Sequence, residues 1–285
     1  MRTEPRRVRA LLLSLLRIGA LAYVGFFLLL VAFQRRLMYF PARGSERDLR
    51  KAAEARRLLP WRDASGALIG WRSRPPASGA AGNRLIVFHG NAGQALDRGY
   101  FVDGLIAQGD GKLWEVYLFE YPGYGARPGS PGEKSFGRAA QAALDHLRQN
   151  DERPVYLLGE SLGGGVATQL AAANPDGVAG LFLVTPFTNL GDVAAYHYPR
   201  FPVRFFLWDR YANDEALKKY RGPVGFLLTG RDEVVPLRFG KRLHDGYAGP
   251  KRLWVQENVS HNTIDYSPAA PWWRAVSDFL LSKDR

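Results

Sequence analysis

The sequence predicts an α/β fold with a mostly parallel central sheet flanked by helices, a short inserted cap and an N-terminal helix of membrane-spanning length. Three observations predict it. Short apolar runs bounded by Gly or Pro alternate with longer stretches of helical period. A Gly-rich turn carries a serine between one such run and a helix, and the first forty residues hold a long apolar stretch. The 285 residues suffice for one large domain and an appendage. With 46% hydrophobic and 23% charged residues, disordered, collagenous and repeat classes are excluded. The chain has no cysteine, which removes a disulfide framework, a thiolate metal site and a cysteine nucleophile.

Residues 1–40 read as a basic tail and a single anchor. The segment Ala10 to Phe33 is apolar except for Ser14 and Arg17, and as a helix it extends about 36 Å against a hydrocarbon layer of about 30 Å. Arg17 can snorkel toward the N-terminal interface, where Arg6, Arg7 and Arg9 lie. A cleaved signal peptide is the alternative, since Ala20-Leu21-Ala22 has the small-x-small form of a cleavage site. Eleven further residues, nearly all apolar, follow that site. A chain cut there would keep an exposed greasy end, which favours the anchor. Four Arg precede the span while Arg35, Arg36 and Arg43 follow it, so the positive-inside rule nearly cancels. A short basic tail is easily retained, which leans the N-terminus to the cytoplasm and the rest of the chain to the other side.

The formal charge of +12 raises the question of nucleic acid. Half of it sits in residues 1–40, where seven Arg face one Glu. The remainder is scattered, without a basic run or an interleaved aromatic platform, so a surface beside anionic lipid explains the charge better than nucleic acid does.

Residues 41–65 read as a linker, its charge-rich part over 43–60 as a solvated helix, and a Pro, Ala, Ser and Gly spacer follows over 74–82. A domain over 66–285 completes the chain. Strands are predicted at Arg84 to Phe88, Trp114 to Phe119, Val155 to Leu158, Val178 to Val184, Val224 to Leu228 and Arg252 to Val255. The clearest helices are Glu133 to Gln149, Leu162 to Ala173, Leu237 to Gly246 and Ala269 to Ser282. Continuous rather than alternating apolar strands, each followed by a helix, argue for a parallel sheet covered on both faces. The segment 187–222 is too long for an ordinary crossover and reads as a cap. Its aromatics Tyr196, Tyr198, Phe205, Phe206 and Trp208 are candidates for substrate binding; the alternative is that the rings of the cap form a small core of their own.

In sheets of this kind ligands bind at the carboxyl ends of strands. After Val155-Tyr156-Leu157-Leu158 comes Gly159-Glu160-Ser161-Leu162-Gly163-Gly164, then a helix-forming run. This is G-x-S-x-G in the strand-turn-helix setting that exposes a serine on a sharp turn. A serine hydroxyl needs a base and a group to orient that base. Of the five histidines, His146 and His244 lie in helical runs, His197 in the cap, and His89 ahead of the serine. His261 falls between the last strand and the last helix and is the candidate base. Asp232, on the loop after the strand ending at Leu228, is the candidate acid, with Glu233 as local rival and Asp209 and Asp214 as weaker choices in the cap. Donors for an oxyanion are expected from the backbone N–H of Leu162 and of Asn91, the latter in the loop His89-Gly90-Asn91-Ala92-Gly93 that His89 braces.

These residues resemble the α/β-hydrolase superfamily over about residues 66–285. The likeness rests on five ordered motifs: His89 to Gly93; Tyr121-Pro122-Gly123-Tyr124-Gly125; Gly159 to Gly164; Gly230-Arg231-Asp232 with Val234-Val235-Pro236; and Ser260-His261-Asn262. Within it, the chain is similar to the single-span, membrane-anchored branch of serine aminopeptidase-like and depalmitoylase-related hydrolases, a likeness that includes Leu37-Met38-Tyr39-Phe40-Pro41. The resemblance implies an α/β-hydrolase fold, a Ser161, Asp232, His261 triad, and an acyl-enzyme mechanism without metal or organic cofactor. Glu120 departs from the family, whose members more often carry Asp before the tyrosine. The expected function is hydrolysis of an ester or thioester of a small-molecule, lipid or acylated substrate at a membrane. An aminopeptidase-like amidase, with Glu160 or Glu233 receiving a free amine, and a non-catalytic binding module on the same scaffold are the alternatives.

Overall fold

In the computed structural model, residues 4–282 are described apart from 77–78, 80–81, 109–112 and 150. The spacer expected over 74–82 therefore lies partly outside the described residues. The strands are β1 (Phe40–Pro41), β2 (Leu59–Arg62), β3 (Leu68–Arg72), β4 (Asn83–Phe88), β5 (Ala92–Gly93), β6 (Trp114–Phe119), β7 (Val155–Glu160), β8 (Gly180–Val184), β9 (Val224–Thr229) and β10 (Lys251–Gln256). The helices are α1 (Glu4–Met38), α2 (Glu46–Ala55), α3 (Gly99–Ala107), α4 (Glu133–Arg148), α5 (Leu162–Ala173), α6 (Leu190–His197), α7 (Asn213–Leu217), α8 (Leu237–Gly246) and α9 (Trp272–Leu281).

Eight strands form one sheet in the order β10-β9-β8-β7-β4-β6-β3-β2. Pairing is parallel from β10 to β6 and antiparallel where β3 meets β6 and β2. The apolar runs are continuous because both faces are covered. Along β4, Ile86 and Phe88 pack with Phe136 and Ala140 of α4, Val166 and Leu170 of α5 and Phe239 of α8. Leu85 and Val87 point the other way, to Phe101 and Leu105 of α3 and Trp273 and Val276 of α9. The two-residue period of a strand thus feeds two cores from one element.

The charge-rich stretch after α1 departs from a solvated linker. Leu49 and Ala53 of α2 are buried in the core with Trp71 of β3, and β2 is the outermost strand of the sheet. Its Pro60 is compatible with an edge position, where a missing N–H costs no ladder bond. Before α2, the chain is stitched to the domain: β1 pairs in parallel with β5, and Arg43 bridges to Gly125.

Helix α1 is apolar and exposed along most of its length. Among its described side chains only the stripe Phe27, Leu30, Val31, Gln34 and Met38 is partly or fully buried, at the spacing of one helix face. That stripe faces the segment between β8 and β9, which holds α6, a short 3₁₀ turn (Val203–Phe205) and α7.

Candidate active site

Strand β7 is followed at once by α5, and the link is Ser161. Its backbone stands at φ 51°, ψ −116°, a conformation that side-chain-bearing residues rarely adopt. The turn is so tight because small residues flank it. A Cβ on Gly159 would lie 2.5 Å from Gly164 Cα, and one on Gly163 would lie 2.0 Å from the carbonyl oxygen of Phe88. Helix α5 can therefore sit directly on β4, with its N-terminus and the serine at the carboxyl edge of the sheet.

The candidate base and acid arrive from the last two loops of the sheet. His261 Nε2 lies 3.1 Å from Ser161 Oγ, and His261 Nδ1 lies 2.8 Å from Asp232 Oδ2. A carboxylate only accepts, so Nδ1 carries the proton given to Asp232 and Nε2 is left to accept from the serine hydroxyl. Asp232 is itself fixed: Thr229 Oγ1 donates to Oδ2 at 2.8 Å, and the N–H groups of Val234 and Val235 donate to Oδ1 at 3.0 and 2.7 Å. The side chains of His261 and Asp232 are 10% and 2% exposed, so this relay is largely shielded from water. The rivals stand elsewhere. Glu233 is exposed, Asp209 binds Arg35, and Asp214 accepts from Asn189.

The loop after β4 is braced from several sides. His89 is buried, with Nδ1 2.8 Å from the carbonyl of Gly90 and Nε2 3.3 Å from Glu120 Oε1, and its own carbonyl accepts from Tyr121 Oη at 2.8 Å. The carbonyl of Asn91 accepts from Phe40 N and Tyr124 Oη, while Asn91 Nδ2 donates to the carbonyl of Met38 at 2.8 Å. Leu162 opens α5, so its N–H, like the others of the first helical turn, has no acceptor within the helix.

Glu160 serves this loop as well. Its carboxylate accepts from Arg98 Nε at 2.6 Å, Tyr100 Oη at 2.9 Å and Gly90 N at 3.2 Å. Burial pushes the Glu160 carboxyl up, but the Arg98 guanidinium and the two other donors hold it below its ordinary value. A carboxylate so engaged offers no subsite for a substrate amine, which corrects that expectation for Glu160. The residue after the strand thereby ties the serine turn to the Asn91 loop. No local signal marks Arg98 or Tyr100 in the sequence, because the contacts span about sixty positions.

A cavity of about 470 Å³ lies beside these residues, between the end of α1 and the cap. Asn91 and Val234 line it from the domain, Tyr198 and Phe206 from the cap. The other cap aromatics singled out above stand away from it: the guanidinium of Arg238 stacks on Tyr196, that of Arg204 on Phe205 and that of Arg35 on Trp208. Nor do the rings form a separate small core. Phe201 and Phe206 pack on Tyr23, Phe26 and Phe27 of α1, with Phe201 stacked on Tyr23 at 4.7 Å between ring centres. Asp209, 1% exposed, receives both Nε and a terminal nitrogen of Arg35 at 2.9 and 3.0 Å and the hydroxyl of Tyr39 at 3.0 Å. Gln34 closes the joint, donating to the carbonyl of Phe206 and accepting from Trp208 N.

Sheet order, serine turn and the placing of the last two loops define an α/β-hydrolase architecture. The chain belongs to the alpha/beta hydrolase fold family, whose pattern it matches over residues 83–281. It is 36% identical over 278 residues to an uncharacterized protein of Mycobacterium tuberculosis, covering 96% of each chain. It is 32% identical over 253 residues to the lysophosphatidylserine lipase ABHD12 of Mus musculus, covering 77% of this chain and 61% of that one. Among solved structures, an esterase of Pyrococcus furiosus superposes with a TM-score of 0.65 at 16% identity, over 85% of this chain and 97% of that one.

Proposed function

We propose that this chain is a membrane-anchored serine hydrolase that cleaves a carboxylic ester or thioester of an acyl substrate. The observation that carries the reading is the continuous hydrogen-bond line from Asp232 through His261 to Ser161. Ser161 Oγ attacks the acyl carbon as its proton passes to His261 Nε2, and Asp232 holds the resulting imidazolium in place. The N–H groups of Leu162 and Asn91 receive the oxyanion. The tetrahedral intermediate collapses, His261 returns the proton to the departing alcohol or thiol, and the acyl group stays on Ser161. Water, deprotonated by the same histidine, then releases the carboxylic acid and restores the serine.

A lipase and an esterase among the similar proteins support acyl esters as the substrate class. An apolar helix over Arg7–Met38, long enough to cross a bilayer, supports the anchor. In this reading residues 1–40 are tail and anchor, and the short basic tail stays in the cytoplasm while the domain, with its cap over about 187–222, stands on the other side. The test is a panel of p-nitrophenyl esters graded from acetyl to palmitoyl, with aminoacyl p-nitroanilides beside it, on the full-length protein in micelles. The expected result is kcat/KM rising with acyl length. Turnover confined to the anilides contradicts it.

A further inference from the structure

We propose that the last turns of α1 are part of the substrate site: the cavity between α1 and the cap receives one acyl chain of a lipid ester drawn from the bilayer. This rests on the hydrolase reading above and adds to it where the chain lies and how it arrives. The cavity is of ligand size. One wall is the partly buried stripe of α1, with Leu30, Val31 and Met38; the facing wall is Leu190 and Val193 of α6 with Phe206. Apart from Tyr198, its polar side chains are already engaged. Gln34 is bonded to Phe206 and Trp208, Asn91 Nδ2 to Met38, and His197 Nε2 lies 2.9 Å from the carbonyl of Val234. What the space offers is apolar, which suits an alkyl chain and not a headgroup.

Two further features fix the occupant. Asn91, whose N–H serves the oxyanion in the proposed mechanism, and Val234, whose N–H holds Asp232, both line the cavity, so a chain lying in it brings its carbonyl toward the serine turn. The other feature is helix length. The 32 residues Arg7–Met38 extend about 48 Å, while a hydrocarbon layer takes up about 30 Å, or about 20 residues. With Arg7 and Arg9 held at the N-terminal interface, the hydrocarbon ends near Leu29. Phe26 and Phe27, with Phe201 against them, then fall within about one helical turn of the far interface, where aromatic rings settle. Leu30 and Val31, the first cavity residues of α1, lie just beyond. A lipid chain thus passes from the bilayer along α1 into the cavity without crossing bulk water.

The test uses full-length protein in phosphatidylcholine vesicles and compares kcat/KM for p-nitrophenyl palmitate and butanoate within each variant. The ratio of the two cancels differences in the folded fraction. Val31→Trp and, from the opposite wall, Val193→Trp each fill the cavity and are expected to lower the palmitate-to-butanoate ratio at least about tenfold. Leu21→Trp, on the same helix but within the hydrocarbon span, is the control and keeps the wild-type ratio. Ratios in both cavity variants within about threefold of wild type, with Ser161 still labelled by a fluorophosphonate, overturn this site while leaving the hydrolase standing. Wild-type protein that neither labels nor turns over either ester overturns both.

Discussion

Ser161 carries the strain of the site in its own backbone. A side-chain-bearing residue at positive φ costs on the order of 1–3 kcal/mol, and here the neighbouring elements impose it, because Ser161 N is bonded to the carbonyl of Val184 while α5 begins at the next residue. Glycine adopts this conformation without that cost. Ser161→Gly is therefore expected to raise stability by about 1 kcal/mol, a gain of about 2–4 °C in Tm, while abolishing ester hydrolysis. Thermal unfolding of the two proteins in the same detergent checks it. A drop in Tm would mean that the turn is relaxed as it stands. That this position is special is readable in the sequence, since G-x-S-x-G after an apolar strand names the turn. The bonds that restrain it lie on distant strands and are not.

Gly159, Gly163, Gly164 and Gly165 look alike in the sequence, and the packing of α5 against the sheet separates them. A methyl group on Gly163 would meet the carbonyl oxygens of Phe88 and His89 at 2.0 and 2.6 Å, both backbone and unable to yield. At Gly164 the nearest atom is 3.7 Å away, an ordinary contact. Gly163→Ala is expected to displace α5 and cost about 3 kcal/mol, with loss of activity, whereas Gly164→Ala is expected to be neutral or to gain up to about 1 kcal/mol from helix propensity. Urea unfolding of both variants decides, and equal effects would show that helix and strand are not in the close contact described. Elements on the parallel side of the sheet were legible because their strands are buried on both faces and their helices keep a clear period. The outer strands β2 and β3 were not. They pair antiparallel outside that rhythm, and β2 carries a proline.

Taken together, the chain is a hydrolase domain joined to an apolar helix by more than a tether. Arg35 reaches Asp209 across 174 positions, Tyr23 reaches the carbonyl of Arg200 across 177, and β1 pairs beside the Asn91 loop. Charge and hydropathy disclosed both parts, since each is a local property. Their joint was hidden, because a surface arginine and a cap aspartate look the same in sequence whether or not they meet. Asp209, weighed as an acid for the base, instead fastens the cap to the helix. The grouping of Ser161, His261 and Asp232 was legible because each sits on a loop that the strand rhythm places, and His261 and Asp232 are 29 residues apart in a stretch with one strand between them. The central claim is that Ser161 is an activated nucleophile. It is tested most directly by labelling the full-length protein in its membrane fraction with a fluorophosphonate probe, beside Ser161→Ala and His261→Ala. An adduct mapped to Ser161 in the wild type and lost in both variants is the predicted result. A folded wild-type protein that takes no label, or one that labels equally after His261→Ala, would contradict it.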